Sequence, residues 1–356
     1  MSEGRIPVAI LGAGGYVGQH FARLLADHPY FDPVLLSAGE RTTGQRLGDV
    51  WQLTEPVPES LETARLVRAT AATLVRARVR VAFSALPSGT AGPLESLLVR
   101  RGISVLSNAA DHRLDPDVPL LVPEVNADHL ELARRRRPSA LLVANPNCSA
   151  TGLVLALAPL VPLLAPRTVH VTTYQSISGA GYPGVPSLAI TDNVVPFIRD
   201  EEEKLDRESR RILGARHGAR IRPAEFPFLA HCARVATREG HLEAVTVETR
   251  RRPSRRSLEA AWAAFRPLSH LGLPTAPDVP VVLRREHDRP QPIRDRWAGT
   301  PARARGMAAV VGRVRWAPPF LRFFVLSNNA VRGAAGGSVL NAELARSLGL
   351  LPGGRR

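Results

Sequence analysis

The residues best suited to chemistry in this 356-residue chain fall into three groups. The first is Cys148, which follows Asn145-Pro146-Asn147 and precedes the apolar run SATGLVLALA. That run reads as a helix, so the cysteine stands at a helix N-terminus. The dipole there favours the thiolate and makes the sulfur a nucleophile. The second group lies in HCARVATREGH, where His241 follows Arg234 by seven residues and is the acid–base candidate. Cys232, in the same stretch, has no such setting and reads as a small apolar packing residue of a strand. The third group is Gly12, Gly15 and Gly18, spaced GxxGxxG between the apolar segment IPVAIL and the helical pattern HFARLLADH. Glycines there let the backbone turn tightly and approach a pyrophosphate, which then rests on the helix N-terminus.

The end of the second strand selects among dinucleotides. It reads Ser37-Ala-Gly-Glu-Arg41-Thr42. Glu40 could bond a ribose 2′-hydroxyl, but Arg41 with the hydroxyls of Ser37 and Thr42 suits a 2′-phosphate better, so NADP is expected. Two further stretches stand out. YQSISGAGYPG is rich in small residues and suits close approach to a ligand. Lys204, in Asp-Glu-Glu-Glu-Lys, is the one lysine in a chain whose other basic residues are all arginine, which suggests a site that needs a compact ammonium.

These residues need a scaffold. Apolar segments IPVAIL, PVLLSA, VRVAFSALP, ISVLSNAA and SALLVAN alternate with helical patterns, which predicts a parallel α/β sheet. Beyond Cys148 the segments TVHVTTYQSI, LEAVTVET and AAVVGRVRW alternate with period two and predict a second, α+β domain with a mostly antiparallel open sheet. Gly336–Leu348 reads as a helix that packs back on the first domain. The Pro- and Arg-rich stretch from Arg250 to Thr300 is expected to be irregular. The domain expectation is 1–147, completed by a helix at about 330–356, and 148–329. The net charge of +15 reflects arginine spread along the chain; the one dense cluster, Arg134–Arg137, is expected on a solvated face, with no interleaved aromatics to suggest nucleic acid. Two cysteines make neither a disulfide framework nor a CxxC zinc pattern. The longest apolar run, Leu153–Pro166, is proline-broken and too short to span a bilayer. With no basic-then-apolar leader, a cytoplasmic location is expected.

Longer motifs carry more. SNAADHR (107–113), PLLVPEVN (119–126), NPNCS (145–149), SGAGYPGVPSLAITDNVVPFI (178–198), EEEK (201–204) and VRGAAGGSVLNAE (331–343) together resemble aspartate-β-semialdehyde dehydrogenases, the archaeal and fungal branch, over nearly the whole chain. The resemblance implies a Rossmann-type dinucleotide-binding domain, a catalytic and dimerisation domain, and NADPH-dependent reduction of an aspartyl phosphate to the semialdehyde with release of phosphate. It gives Cys148 the part of nucleophile, Gln175 that of positioning the thioester, and His241 that of general acid–base. Arg234 would meet the substrate carboxylate and Glu201 its amino group, with Arg113 and Lys204 as phosphate cations and Asn108 as a further substrate contact. Expected cofactor contacts are Gly12, Gly14, Gly15, Tyr16, Val17, Gly18, Ser37, Arg41, Thr42, Ser84, Leu86, Pro87, Ser178, Gly179, Gly181 and Asn329, with no metal. A homodimer or homotetramer handling small molecules, and neither nucleic acid nor membrane, is expected. Ala236, Ala150 and Ser327-Asn328 depart from the proline, threonine and Gly-His usual at these places. N-acetyl-γ-glutamyl-phosphate reductase shares the fold and chemistry but fits NPNC and SGAGYPGVPSL less well. A non-catalytic NADP-binding regulator is disfavoured by the set Cys148, Gln175, Arg234 and His241.

Overall fold

A computed structural model describes residues 4–135 and 140–351. The side chains of Arg134–Arg137 lie outside the described residues. The chain divides into two compact units, one comprising 4–121, 127–135, 140–145 and 334–351, the other 122–126 and 146–333.

The first unit is built on a five-stranded sheet of β1 (Ile6–Leu11), β2 (Phe31–Leu36), β3 (Val81–Ser84), β4 (Ser104–Ser107) and β5 (Leu142–Ala144), all parallel in the order β2-β1-β3-β4-β5. Buried on both faces, its central strands read as unbroken apolar runs rather than alternations. Helix α1 (Tyr16–Leu25) follows β1, α2 (Ala91–Arg100) follows β3, and α6 (Gly336–Ser347) closes the unit against α1 and β4. In this unit His28 Nε2 lies 2.8 Å from Glu343 Oε1, with both side chains buried, and Arg346 stacks 4.1 Å from the Tyr30 ring centre.

The second unit carries α3 (Cys148–Leu157), α4 (Glu201–Ile212) and α5 (Arg255–Ala264). Its main sheet joins β6 (Pro166–Gln175), β9 (Phe228–Arg234), β10 (His241–Thr249), β11 (Val281–Leu283), β12 (Ala309–Ala317) and β13 (Phe320–Ser327) in the order β11-β12-β13-β10-β6-β9. Pairings through β12-β13-β10-β6 are antiparallel; the two edge pairings, β6–β9 and β11–β12, are parallel. A small hairpin of β7 (Ala215–His217) and β8 (Arg220–Arg222) stands apart from it. Every second residue of β10, from His241 to Thr249, points into the core. Helices α3 and α4 cover that face.

One expectation is corrected. Arg250–Thr300 is not irregular throughout: it holds α5, β11 and a short turn of helix at Pro292–Asp295. Ser254 caps α5 through its hydroxyl, and Leu258 and Trp262, one turn apart, anchor it; the Trp262 indole N–H donates to Ala156 O at 2.8 Å. Segment 122–126 belongs with the second unit, where Glu124 forms a buried two-pronged pair with Arg332 at 2.8 Å.

Candidate active site

Asn147 starts the helix that carries Cys148. Its Oδ1 accepts from the backbone N–H groups of Ser149 (2.9 Å) and Ala150 (3.2 Å), capping α3. That leaves the side chain of Cys148, the first helical residue, in the field of the helix N-terminus. Two carboxylates on one face of α4 clamp Asn147. Both oxygens of Glu201 accept from its Nδ2 at 2.9 Å, and Glu208 Oε2 accepts from its backbone N–H at 2.6 Å. Gly333 leaves the room this needs, since a Cβ there would fall 2.6 Å from Cys148 Cβ.

The sheet delivers the other groups as a row. Gln175 and Arg234 end neighbouring strands β6 and β9 opposite each other. Leu242 pairs with Tyr174, which sets His241, the first residue of β10, beside Gln175. His241 Nε2 lies 3.1 Å from Cys148 Sγ. Gln175 Nε2 donates to Glu201 Oε1 at 2.8 Å, and Arg234 Nη1 to Ser176 O at 2.9 Å. Gly179 lets the loop pass close to these groups: a Cβ there would fall 2.6 Å from Arg234 Nη1 and 3.2 Å from the His241 ring, so Arg234 would have to shift. Asn329 Nδ2 donates to Ser178 Oγ at 2.9 Å. Thus Cys148, Gln175, Glu201, Arg234, His241, Ser178, Gly179 and Asn329 come together, with Gly181 (φ +67°) turning the loop beyond them. Lys204 lies one turn after Glu201 on α4, about one-third exposed, its Nζ 3.8 Å from Asp200.

Burial sorts the ionisable groups. It pushes the Cys232 thiol up to about 12, so this cysteine, 2% exposed in β9, stays protonated and inert. Burial, followed by the charge of Arg234, lowers His241 to about 3, leaving a neutral imidazole. Glu243, the next inward residue of β10, is raised well above the carboxylate range by burial and then by Glu201. Neither of its oxygens has a hydrogen-bond partner. The two shifts act on stability in opposite windows. The native state binds more protons than the unfolded chain at Glu243, whose unfolded value is about 4.3, so stability falls as pH rises above that. At His241 the unfolded chain binds more protons, so stability is full above about 6.5 and is lost as pH falls toward 3. Glu243→Gln keeps the shape and removes the titration. It is expected to raise Tm over the unsubstituted chain by a margin that grows as pH rises above about 4.3, the gain in stability being at most about 1.4 kcal/mol per pH unit. Calorimetric melts check this; a margin flat in pH would mean that Glu243 is ionised in the native state.

The first unit holds the glycine turn. Gly12 adopts φ +80°, and a Cβ on Gly18 would lie 2.0 Å from Gly12 O, so the turn closes on itself only with glycines. Gly15 is the N-cap of α1 without a side chain to fill the helix end, Gly14 faces Thr42, and Tyr16 and Val17 open the helix. Ser37 is buried, and its hydroxyl accepts from Gly12 N–H at 3.4 Å, bracing the turn; Arg41 and Thr42 remain accessible. Open helix N–H groups and an exposed guanidinium suit a pyrophosphate and a 2′-phosphate. Ser84 ends β3, with Leu86 and Pro87 following. Asn108 Nδ2 donates to Ser84 O at 3.1 Å, and Arg113 Nη2 donates to Asn108 O at 2.8 Å.

Four residues escaped sequence reasoning: Asn147, Ser176, Glu208 and Glu243. Only Asn147 carried a signal, an Asn immediately before a helical run. No helix among the described residues is long and apolar enough to cross a membrane.

Known proteins resemble the chain over nearly its whole length. A family model described as "Semialdehyde dehydrogenase, NAD binding domain" matches residues 7–133, and "Semialdehyde dehydrogenase, dimerisation domain" matches 157–332. The chain is 44% identical over 347 residues to an aspartate-semialdehyde dehydrogenase of Archaeoglobus fulgidus, covering 96% of this chain and 98% of that protein. It is 39% identical over 349 residues to a malonyl CoA reductase (NADP) of Metallosphaera sedula, covering 95% and 96%. The crystal structure of aspartate semialdehyde dehydrogenase with NADP from Candida albicans superposes with a TM-score of 0.86 at 32% identity, covering 98% of this chain and all of that one.

Proposed function

The chain belongs to the aspartate-semialdehyde dehydrogenase family, and from that premise we propose how its residues reduce L-aspartyl 4-phosphate to the semialdehyde with NADPH. The observation that carries the assignment of roles is the 3.1 Å approach of His241 Nε2 to Cys148 Sγ at a capped helix N-terminus. Cys148 thiolate attacks the acyl carbon, phosphate departs and a thioester forms. Arg113 and Lys204 are the phosphate cations in this reading, and Arg234 takes the substrate α-carboxylate as a two-pronged guanidinium contact. NADPH, when bound, supplies a hydride to the thioester carbon. The resulting thiohemiacetal oxyanion collapses to the aldehyde and returns the thiolate, with His241 positioned beside the oxygen that carries the charge.

Glu201 bears on substrate choice. A buried carboxylate held by Asn147 and Gln175 suits a free α-ammonium. A malonyl group has none, and an N-acetylated glutamyl group has its nitrogen blocked. Assays of phosphate-dependent NADP reduction test this: aspartate semialdehyde is expected to turn over and N-acetylglutamate semialdehyde to be turned over poorly, with the reverse ranking overturning the reading. Gly12, Gly14, Gly15 and Gly18 would cradle the dinucleotide pyrophosphate, and Arg41 with Thr42 its 2′-phosphate. One charge-assisted contact of that kind makes the KM for NADPH at least about tenfold below that for NADH. Parallel Michaelis curves check it, and a preference for NADH removes Arg41 from the role. The family is oligomeric through its dimerisation domain; a homodimer or homotetramer is supported here by exposed Leu188, Val194, Phe197 and Leu229. A cytoplasmic place is consistent with this chemistry.

A further inference from the structure

We infer that Asp111 is a positioning residue that fastens the turn carrying Arg113 to the loop after β3, so that phosphate and the dinucleotide strengthen each other's binding. This rests on the parts given above to Arg113 at the phosphate and to Leu86 and Pro87 at the cofactor. It leaves the proposed chemistry unchanged.

Helix α2 begins without a cap of its own. Thr90 stands at its N-cap position, but the hydroxyl donates to Pro87 O at 2.9 Å and accepts nothing from the helix start. The acceptor comes from another loop. Asp111 Oδ1 accepts from Gly92 N–H, in the first turn of α2, at 3.0 Å. Its Oδ2 accepts from Gly89 N–H, ahead of the helix, at 2.8 Å. One carboxylate therefore grips helix and loop together. A carboxylate suits the place because it takes two N–H donors at once and its charge faces the positive end of α2. Burial would raise Asp111, but the N–H groups of Gly89 and Gly92 outweigh it and hold the carboxyl below its ordinary range, so the group stays ionised. Gly92 gives the room, since a Cβ there would lie 3.1 Å from Asp111 Oδ1.

The same two segments meet on either side of Asp111. Asn108 donates to Ser84 O from its N–H at 3.0 Å and from its Nδ2 at 3.1 Å. Ala110 N–H donates to Ser88 Oγ at 2.9 Å. His112 Nε2 lies 3.7 Å from Glu95 Oε2, further along α2. Arg113 closes the turn, its N–H donating to Ala110 O at 3.2 Å and its Nη2 to Asn108 O at 2.8 Å. The guanidinium thus hangs on backbone that Asn108, Ala110 and Asp111 tie to residues 84–92.

Coupling follows from where these ties fall. Ser84 is buried, but Pro87–Thr90 is exposed. Fixing exposed backbone costs conformational entropy. A dinucleotide lying on Leu86 and Pro87 orders that loop and, through Asp111, the turn beyond it. Phosphate then meets an Arg113 already held in place. By linkage, phosphate on Arg113 favours the dinucleotide by the same factor.

The test uses the full chain and inorganic phosphate at fixed ionic strength. Fluorescence titration gives the Kd for NADPH with and without saturating phosphate. In the unsubstituted chain phosphate is expected to tighten NADPH at least about fivefold. In Asp111→Ala the ratio is expected to fall to near one. Equal ratios in the two proteins overturn the proposal; a phosphate ion competing at Arg41 would act on both alike. Asp111→Ala also uncaps α2, so a second variant separates the two effects. Asp111→Ala with Thr90→Asp puts a capping carboxylate in the helix's own start. This double variant is expected to regain the Tm lost in Asp111→Ala. Its KM for phosphate should stay at least about tenfold above the unsubstituted value, the loss of one charge-assisted contact, with kcat within about threefold. A KM that recovered along with Tm would make Asp111 a helix cap alone and overturn the proposal. The NADPH titrations need no turnover, so inactivity on aspartate semialdehyde would leave them readable, and equal ratios in an active enzyme would leave the proposed function standing.

Discussion

Cys148→Ala is expected to lower phosphate-dependent oxidation of aspartate semialdehyde by at least about 10⁴-fold while leaving the Kd for NADPH within about twofold. The size follows from what is removed. In the proposed mechanism Sγ is the atom that bonds the acyl group, and the other cysteine cannot replace it: Cys232 is 2% exposed and held as a thiol. The substitution is otherwise mild. Asn147 caps α3 through backbone groups of Ser149 and Ala150, and the grip of Glu201 and Glu208 on Asn147 touches no atom of the cysteine. The glycine turn at Gly12–Gly18 belongs to the other unit and should keep its shape. Steady-state rates and fluorescence titration of NADPH separate the two effects; a variant that kept turnover would end the covalent mechanism, and one that lost both activities would point to a folding defect.

His241→Asn is expected to slow turnover by about 10²–10³-fold, the usual cost of removing one preorganised donor from a developing oxyanion. Asparagine is too short to reach Sγ from the start of β10, yet its amide can still accept from Ser176 N–H. The row formed by Arg234 and Gln175 is set by strand register and should persist. Cys148 alkylation near neutral pH should also slow, because the thiolate loses the imidazole that faces it. Rates within a few-fold of the unsubstituted enzyme would remove the histidine from the chemistry.

The parts legible in the sequence were those whose cause is local. Buried parallel strands such as Val81–Ser84 show as continuous apolar runs, and the half-buried β10 shows as an alternation that starts from His241. Cys148 was readable because a helix start has a one-dimensional signature. The helix Arg255–Ala264 was not, because its inward stripe is chiefly Leu258 and Trp262 and the arginines and prolines around it drown the period. Ser176 and Glu243 were hidden for a different reason. Their meaning depends on which strand lies alongside: Ser176 matters because β6 and β10 pair so as to bring its N–H to His241 Nδ1, and Glu243 because alternation turns it inward toward Glu201. Ser327-Asn328 is a similar case. Asn328 Oδ1 accepts from Ala330 and Val331 N–H and so caps the following turn, and Ser327 occupies the space that Gly152 leaves open.

The most direct test of the account is a rapid-mixing experiment with the enzyme, aspartate semialdehyde and NADP in the absence of phosphate. The account predicts a burst of one NADPH per active site, an aspartyl adduct on the Cys148 peptide by mass spectrometry, and resumed turnover when phosphate is added. A burst without an adduct, or an adduct on any other residue, would contradict it.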